Sequence, residues 1–241
     1  MVTKFTFRIF KEIIKPPYQL KEVINQCYEI GIKALPLISV TGFIIGLVFT
    51  QQTRAPLESF GAESWLSNFM GIAIIKSLGP LITAILCAGK VSSGIGAELA
   101  SMKVTEQIDA MEVSAINPFK FLVVNRVLAT TIATVILMFF CSFTSLMGAY
   151  LNIYIGDHTS ITNFYQGASS SIGFLDIVQA IFKSLIFGLT IGISGTFKGF
   201  NASKGTLGVG KAATQAVVLA MFMIFVETLV IDQLFNLIRI L

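Results

Sequence analysis

The chain has 241 residues, of which 54% are hydrophobic and only 12% charged, with a formal net charge of +4 and a mean hydropathy of +0.81. A soluble domain of this size carries roughly a quarter charged residues, so a polar coat cannot be drawn over this one and a water-soluble globule is excluded. One histidine and three scattered cysteines, Cys27, Cys87 and Cys141, lack the spacing of a zinc site or a disulfide framework and read as small apolar fillers.

Residues 1–33 form an interfacial lead-in. Lys4, Arg8, Lys11 and Lys15 recur along one helical stripe with Phe5, Ile9, Phe10, Ile13 and Ile14 around the rest, and Pro16-Pro17 stops the helix. A basic amphipathic helix of this kind lies in the headgroup plane of an anionic leaflet; the alternative is a solvated face on an ordinary cytosolic helix. No short apolar core precedes a small-residue cleavage site, so it is not a removable signal.

Crossing ~30 Å of hydrocarbon takes ~20 helical residues, and the uncharged runs predict five spans at 34–53, 64–89, 127–156, 177–197 and 212–235. Together they make one all-α membrane domain with no aqueous domain left over. In the first span Gly42 and Gly46, and in the fourth Gly188 and Gly192, offer small-residue faces for close helix approach. These faces predict a close-packed homodimer, although either could serve packing within one chain.

In the second span Trp65 marks the outer interface, which puts Lys76 ~16 Å down the helix, near the bilayer centre. An ionisable group at that depth is a functional candidate, and Gly79-Pro80 beyond it bends the helix. Lys183 in the fourth span stands nearer the outer end and is expected to snorkel as a structural cation. The fifth span carries Glu227 and Asp232 near its outer end.

Between spans two and three an acidic island collects Glu98, Glu106, Asp109 and Glu112. Thr105 reads as a helix N-cap, with Glu106 and Asp109 in the first turn, and Asn117-Pro118 as the stop, giving a short helix over 105–116. Ile108, Met111 and Ala115 share its apolar face, beside an acidic flank. Such a helix either sits in a partner's groove or rides as a solvated loop. Before span five, residues 205–212 nearly match a phosphate-binding G-x-x-x-x-G-K-[ST] loop, but Ala212 has no hydroxyl for magnesium and no strand precedes it. A turn is the better reading.

Thirteen of the seventeen Lys and Arg fall in the lead-in and in the segments between spans two and three and spans four and five; the other side receives only Arg54 and Arg239. By the positive-inside rule the N-terminus and the acidic island are cytoplasmic and the 151–176 segment is outside.

The run AGKVSSGIGAELASMKVTEQIDAMEVSAINPFKFLVVNRVLA, residues 88–129, resembles the signature of the MlaE family, permease subunits of bacterial ABC transporters that move phospholipid. The matching positions are Gly89-Lys90, Ala97-Glu98-Leu99, Met102-Lys103-Val104-Thr105-Glu106-Gln107-Ile108, Met111-Glu112, Asn117-Pro118 and Arg126. The likeness continues through Thr41-Gly42, Gly46, Leu78-Gly79-Pro80 and Lys183-Ser184, covering nearly the whole chain.

The resemblance implies a multi-pass bacterial inner-membrane protein with a cytoplasmic N-terminus, working as a homodimer. It implies a coupling helix that seats a separate cytoplasmic ATPase through Glu98, Thr105, Glu106, Gln107, Asp109, Met111 and Glu112. It further implies an MCE-domain partner on the outer face, phospholipid as substrate and no role for nucleic acid. ATP and magnesium would then sit on the ATPase, with no cofactor on this chain and no catalytic or metal-binding residue. Family positions facing lipid map to Phe49, Leu57 and Phe60, joined by Lys76. Many relatives carry a basic-acidic pair where this chain has Lys76-Ser77, so the cation is kept and the acid lost.

Two other classes compete. An ion-coupled carrier of a lipid or other hydrophobic substrate needs intramembrane carboxylates, for which Glu227 and Asp232 are the candidates. A membrane hydrolase needs a nucleophile and base or a metal set, and with His158 as the only histidine a H-E-x-x-H site is excluded.

Overall fold

The computed structural model describes residues 2–14, 16, 19–203 and 205–240, and among them all regular structure is helical. Lys15 of the basic stripe, Pro17 of the expected stop and Lys204 of the cytoplasmic cations lie outside the described residues. Five helical rods are long and apolar enough to cross a membrane: Leu20–Ser59, Glu63–Val104, Phe119–Asp157, Phe174–Phe200 and Thr206–Arg239. Each contains one of the five expected apolar runs and overshoots it. Polar flanks continue the helix because a backbone leaving hydrocarbon keeps its hydrogen bonds most cheaply by staying helical.

In chain order the helices are α1 (Val2–Ile13), α2 (Leu20–Ser59), α3 (Leu66–Ala73), α4 (Gly79–Cys87), α5 (Ser93–Val104), α6 (Gln107–Val113), α7 (Asn125–Asp157), α8 (Ile161–Ser170), α9 (Phe174–Phe200) and α10 (Thr206–Ile240). Wide π-helical turns at Ile74–Leu78 and Ala88–Ser92 join α3, α4 and α5 into one rod, and a third, Phe119–Val124, leads into α7. Such turns interrupt regular packing and gather at functional positions. Here they carry Lys76, Lys90 and Lys120.

The bundle is built around α7, which packs against α2, α4 and α9. Small residues set the spacing. A Cβ at Gly46 would fall on the Ser145 carbonyl, and one at Gly42 would meet Thr144 and Cys141, so α2 lies backbone-close along α7. On the opposite side Gly188 and Gly192 approach Thr130, Thr131 and Val127 of the same helix. All four glycines are therefore spent on α7 inside one chain. The expected dimer face cannot be built from them. What α2 and α10 leave exposed is bulky and apolar instead, including Val40, Ile44, Phe222 and Leu229.

Helix α1 forms as expected, and it is held by the bundle. Ile9 is buried against Phe119, Val123, Val124 and Val127, Phe5 meets the rings of Phe119 and Phe197 edge-on at 5.1 and 5.3 Å, and the Arg8 guanidinium lies 4.0 Å over the Phe119 ring. One apolar face is thus docked on the bundle, and Phe7, Phe10 and Ile14 form a second that stays exposed beside Lys4, Arg8 and Lys11. The 151–176 segment, expected outside, holds α8, whose N-cap Ser160 hydroxyl accepts from the Asn163 N–H at 3.3 Å.

Candidate functional site

The turn between α5 and α7 is shaped by two left-handed residues. Thr105 does not cap the second helix; it closes α5, donating its hydroxyl to the Ser101 carbonyl at 2.9 Å. The chain then reverses at Glu106, with φ of 59°, and α6 runs only from Gln107 to Val113 before Ala115 turns again at φ 59°. The expected 105–116 helix is shorter at both ends because these residues leave helical space, at a strain that L side chains adopt only where the surroundings hold them.

Ile108 anchors the turn, fully buried with Leu99 and Leu122, and Met111 packs half-buried beside it. Ala115, expected on the same face, is exposed. Glu106, Gln107, Asp109 and Glu112 all point into solvent, around a Val113 that is 90% exposed. Asp109 meets Lys103 at 3.4 Å, a surface pair worth ~0–1 kcal/mol. Glu98 stands apart from this group, on α5, where one oxygen accepts from the buried Arg126 guanidinium at 2.6 Å. Arg126 also donates to the Leu122 carbonyl at 3.1 Å, so the pair locks α5 to the start of α7.

Inside the membrane the charges are arranged differently from expectation. Lys183 does not snorkel. It is 1% exposed, and its ammonium is 2.6 Å from the Asp232 carboxylate, to which Gln179 also donates at 2.6 Å. The same ammonium reaches the Lys76 carbonyl at 3.3 Å, a group that Pro80, having no N–H, cannot bond in α-helical register. The Gly79-Pro80 break thus supplies the third leg of a buried cation site. Thr190 donates to Glu227 at 2.5 Å, and the second Glu227 oxygen is buried without a partner. At the end of the seam Arg239 donates to the buried Asp176. These contacts run down the antiparallel α9–α10 seam as a series of polar rungs.

Lys76 itself is half-buried, and among the described residues its ammonium has no ion-pair or hydrogen-bond partner. Phe49 and Leu57 pack on an apolar cluster of Leu66, Met70, Ile74, Ala149, Ile153 and Phe164, with Phe49 stacked on Phe69 at 6.5 Å. Phe60 is not part of this group; it lies past the end of α2 and is 84% exposed. Tyr165 of α8 flanks the cluster, and burial, helped by the neighbouring Tyr150, pushes its phenol above the usual range. Among the described residues no three His, Cys, Asp or Glu side chains gather to hold a metal ion. Gly205 takes a φ of +92° and simply turns the chain into α10, with Lys211 inside that helix.

Sequence reading missed the Lys183–Asp232 pair, the Thr190–Glu227 contact and the Arg126–Glu98 lock. A signal was available for the first: on each of two antiparallel helices, ~7 residues or two turns separate ionised residues of opposite sign, Asp176 from Lys183 and Asp232 from Arg239.

Comparison with known proteins agrees with this architecture. Residues 23–234 match the family described as permease MlaE. A probable ABC transporter permease protein of Rickettsia prowazekii is 34% identical over 96% of this chain and 89% of its own. Another of Synechocystis is 29% identical over 95% of this chain and 87% of its own. The chloroplastic protein trigalactosyldiacylglycerol 1 of Arabidopsis thaliana is 28% identical over 95% of this chain and 65% of its own. With five apolar membrane helices and a family match over nearly its whole length, the chain belongs to the MlaE family of multi-pass ABC transporter permeases.

Proposed function

We propose that the chain is the membrane subunit of an ABC transporter that moves phospholipid between the bacterial inner membrane and an MCE-domain protein on the outer face. It works as a homodimer, with a separate ATPase seated on each α6. The observation that carries this reading is the continuous helical rod from Lys76 to Val104, roughly 40 Å long at 1.5 Å per residue, with the exposed acidic turn at one end and, at the other, an intramembrane cation that has no partner among the described residues. A push on α6 has a stiff path to Lys76, as a rigid-body switch between two packings requires. The name of the chloroplast relative, that of a galactolipid, also favours a lipid substrate. ATP and magnesium belong on the ATPase. Phe49 and Leu57 provide acyl-chain surface on the cluster that holds Ile74, and Lys76, two residues on along the same rod, is a cation suited to a headgroup phosphate.

The rival, an ion-coupled carrier, retains one specific support in the unpartnered oxygen of Glu227; Asp232 is neutralised by Lys183. Co-reconstitution of the chain with its ATPase in vesicles carrying a fluorescent phospholipid decides between them. Transfer to an MCE-domain acceptor should need ATP, and transfer driven by an ion gradient without ATP rejects the proposal. Glu106→Lys with Asp109→Lys should abolish ATPase co-purification while the chain still inserts; retained co-purification rejects the docking assignment.

A further inference from the structure

We propose that the cleft between α2 and α5 binds the headgroup of an ethanolamine-type phospholipid of the cytoplasmic leaflet. The orientation rests on the transport reading above, but the cleft does not. It has a volume of about 180 Å³, below the ~300–1,000 Å³ of sites that engulf a whole drug-sized ligand, which suits a headgroup whose chains stay outside. Its floor is apolar, made by Ile30, Ala34, Val91 and Ile95, and its mouth carries charges of both signs.

The order of those charges selects the ligand. Lys33 immediately precedes the apolar run of α2 and Lys90 immediately follows that of the α3–α5 rod, so both cations stand where hydrocarbon gives way to headgroups. Glu29 lies one turn further toward the cytoplasm on α2, and Glu98 about two turns further on α5. A zwitterionic amine lipid presents the same sequence along the bilayer normal, phosphate first and ammonium beyond it. An anionic headgroup such as phosphoglycerol would offer the two carboxylates only neutral hydroxyl donors, roughly half as strong as the charge-assisted bonds of an ammonium.

The site is preset. Lys90 sits in the wide turn Ala88–Ser92 and its ammonium reaches across the cleft to the Lys33 carbonyl. Lys33 is held by Glu29 at 2.6 Å, and Glu98 is held from behind by Arg126. An ammonium has three donors and a carboxylate about four acceptor positions, so each group keeps capacity for a ligand. Gly94 leaves the space open: a Cβ there meets nothing within 4 Å.

The test uses the full chain purified in detergent with equal amounts of phosphatidylethanolamine and phosphatidylglycerol, with retained lipids counted by native mass spectrometry. Wild type and Gly94→Ala should retain the ethanolamine lipid selectively. Gly94→Leu, which fills the cleft, and Lys90→Gln, which removes a donor, should each cut that selective retention about tenfold, the scale of one charge-assisted hydrogen bond. Equal retention of both lipids by wild type overturns the proposal, as does wild-type retention by either damaging variant with an unchanged elution volume. Displacement by free phosphoethanolamine as effective as by the lipid identifies a soluble ligand and overturns the leaflet source. Because this binding measurement needs no ATPase, selective binding combined with no ATP-driven transfer in the vesicle assay rejects only the transport reading, and ATP-driven transfer without selective binding rejects only the cleft.

Discussion

The Lys183–Asp232 pair makes a quantitative prediction. Lys183→Met keeps the length and apolar volume of the side chain but removes the charge, leaving the Asp232 carboxylate with Gln179 at 2.6 Å as its remaining close donor. Removing one partner of a buried ion pair costs ~3–5 kcal/mol. Asp232 is 36% exposed at the helix surface and regains a little by relaxing outward, so the lower end, ~3 kcal/mol, is expected. For a chain of 150–250 residues each 1 kcal/mol moves the melting temperature by about 2–4 °C, so Lys183→Met should melt roughly 6–12 °C below wild type in detergent, followed by circular dichroism. Asp232→Asn should fall by a similar amount, and the double variant should recover most of the loss, since an apolar or neutral replacement of both partners is often close to neutral. If either single variant melts with wild type, or the double falls by the sum of the two, the pair is not a coupled unit and the reasoning fails.

Other predictions concern topology, packing and the unpaired cation. Single cysteines at Ser101 and Ser160, in a variant lacking Cys27, Cys87 and Cys141, should label from opposite sides of the membrane; labelling from one side rules out five spans with a cytoplasmic N-terminus. Gly46→Ala should destabilise by ~1–3 kcal/mol because its Cβ falls on the Ser145 carbonyl, whereas Gly31→Ala, with nothing within 4 Å, should be neutral or gain up to ~1 kcal/mol from helix propensity; thermal melts in detergent compare them, and equal behaviour removes the α2–α7 close-approach argument. Lys76→Ala should slow lipid transfer with folding unchanged, Lys76→Arg should keep much of it, and Lys76→Glu should be the slowest of the three. Wild-type transfer by the alanine variant makes Lys76 structural.

What was legible in the sequence follows from how each feature is encoded. Span number comes from continuous apolar runs, a signal local to each helix, and the helical rods contain all five. The ends of α6 were not legible, because Thr105-Glu106 reads as a capped start by residue type, while the closing turn of α5 uses the same threonine hydroxyl on Ser101. Partner choice was the least legible property. Gly42 and Gly46 look the same whether they face another chain or α7, and Lys183 looks like a snorkelling cation until Asp232, some fifty residues on, is brought opposite it.

The polar rungs between α9 and α10 bear on how the protein is made. A lone lysine or aspartate in an inserting helix costs up to about 2.5–3.5 kcal/mol, the figure for the helix centre, and α9 leaves the ribosome with Lys183 before Asp232 has been synthesised. The two helices are joined by a short turn and meet as opposite charges, so the natural unit of insertion is the hairpin. A chain truncated after Phe200 should hold its last helix at the translocon or slip back, and restoring α10 should rescue it only while Asp232 is present. The ion pair then acts as a checkpoint on biogenesis, admitting α9 and α10 to the bilayer when both have arrived.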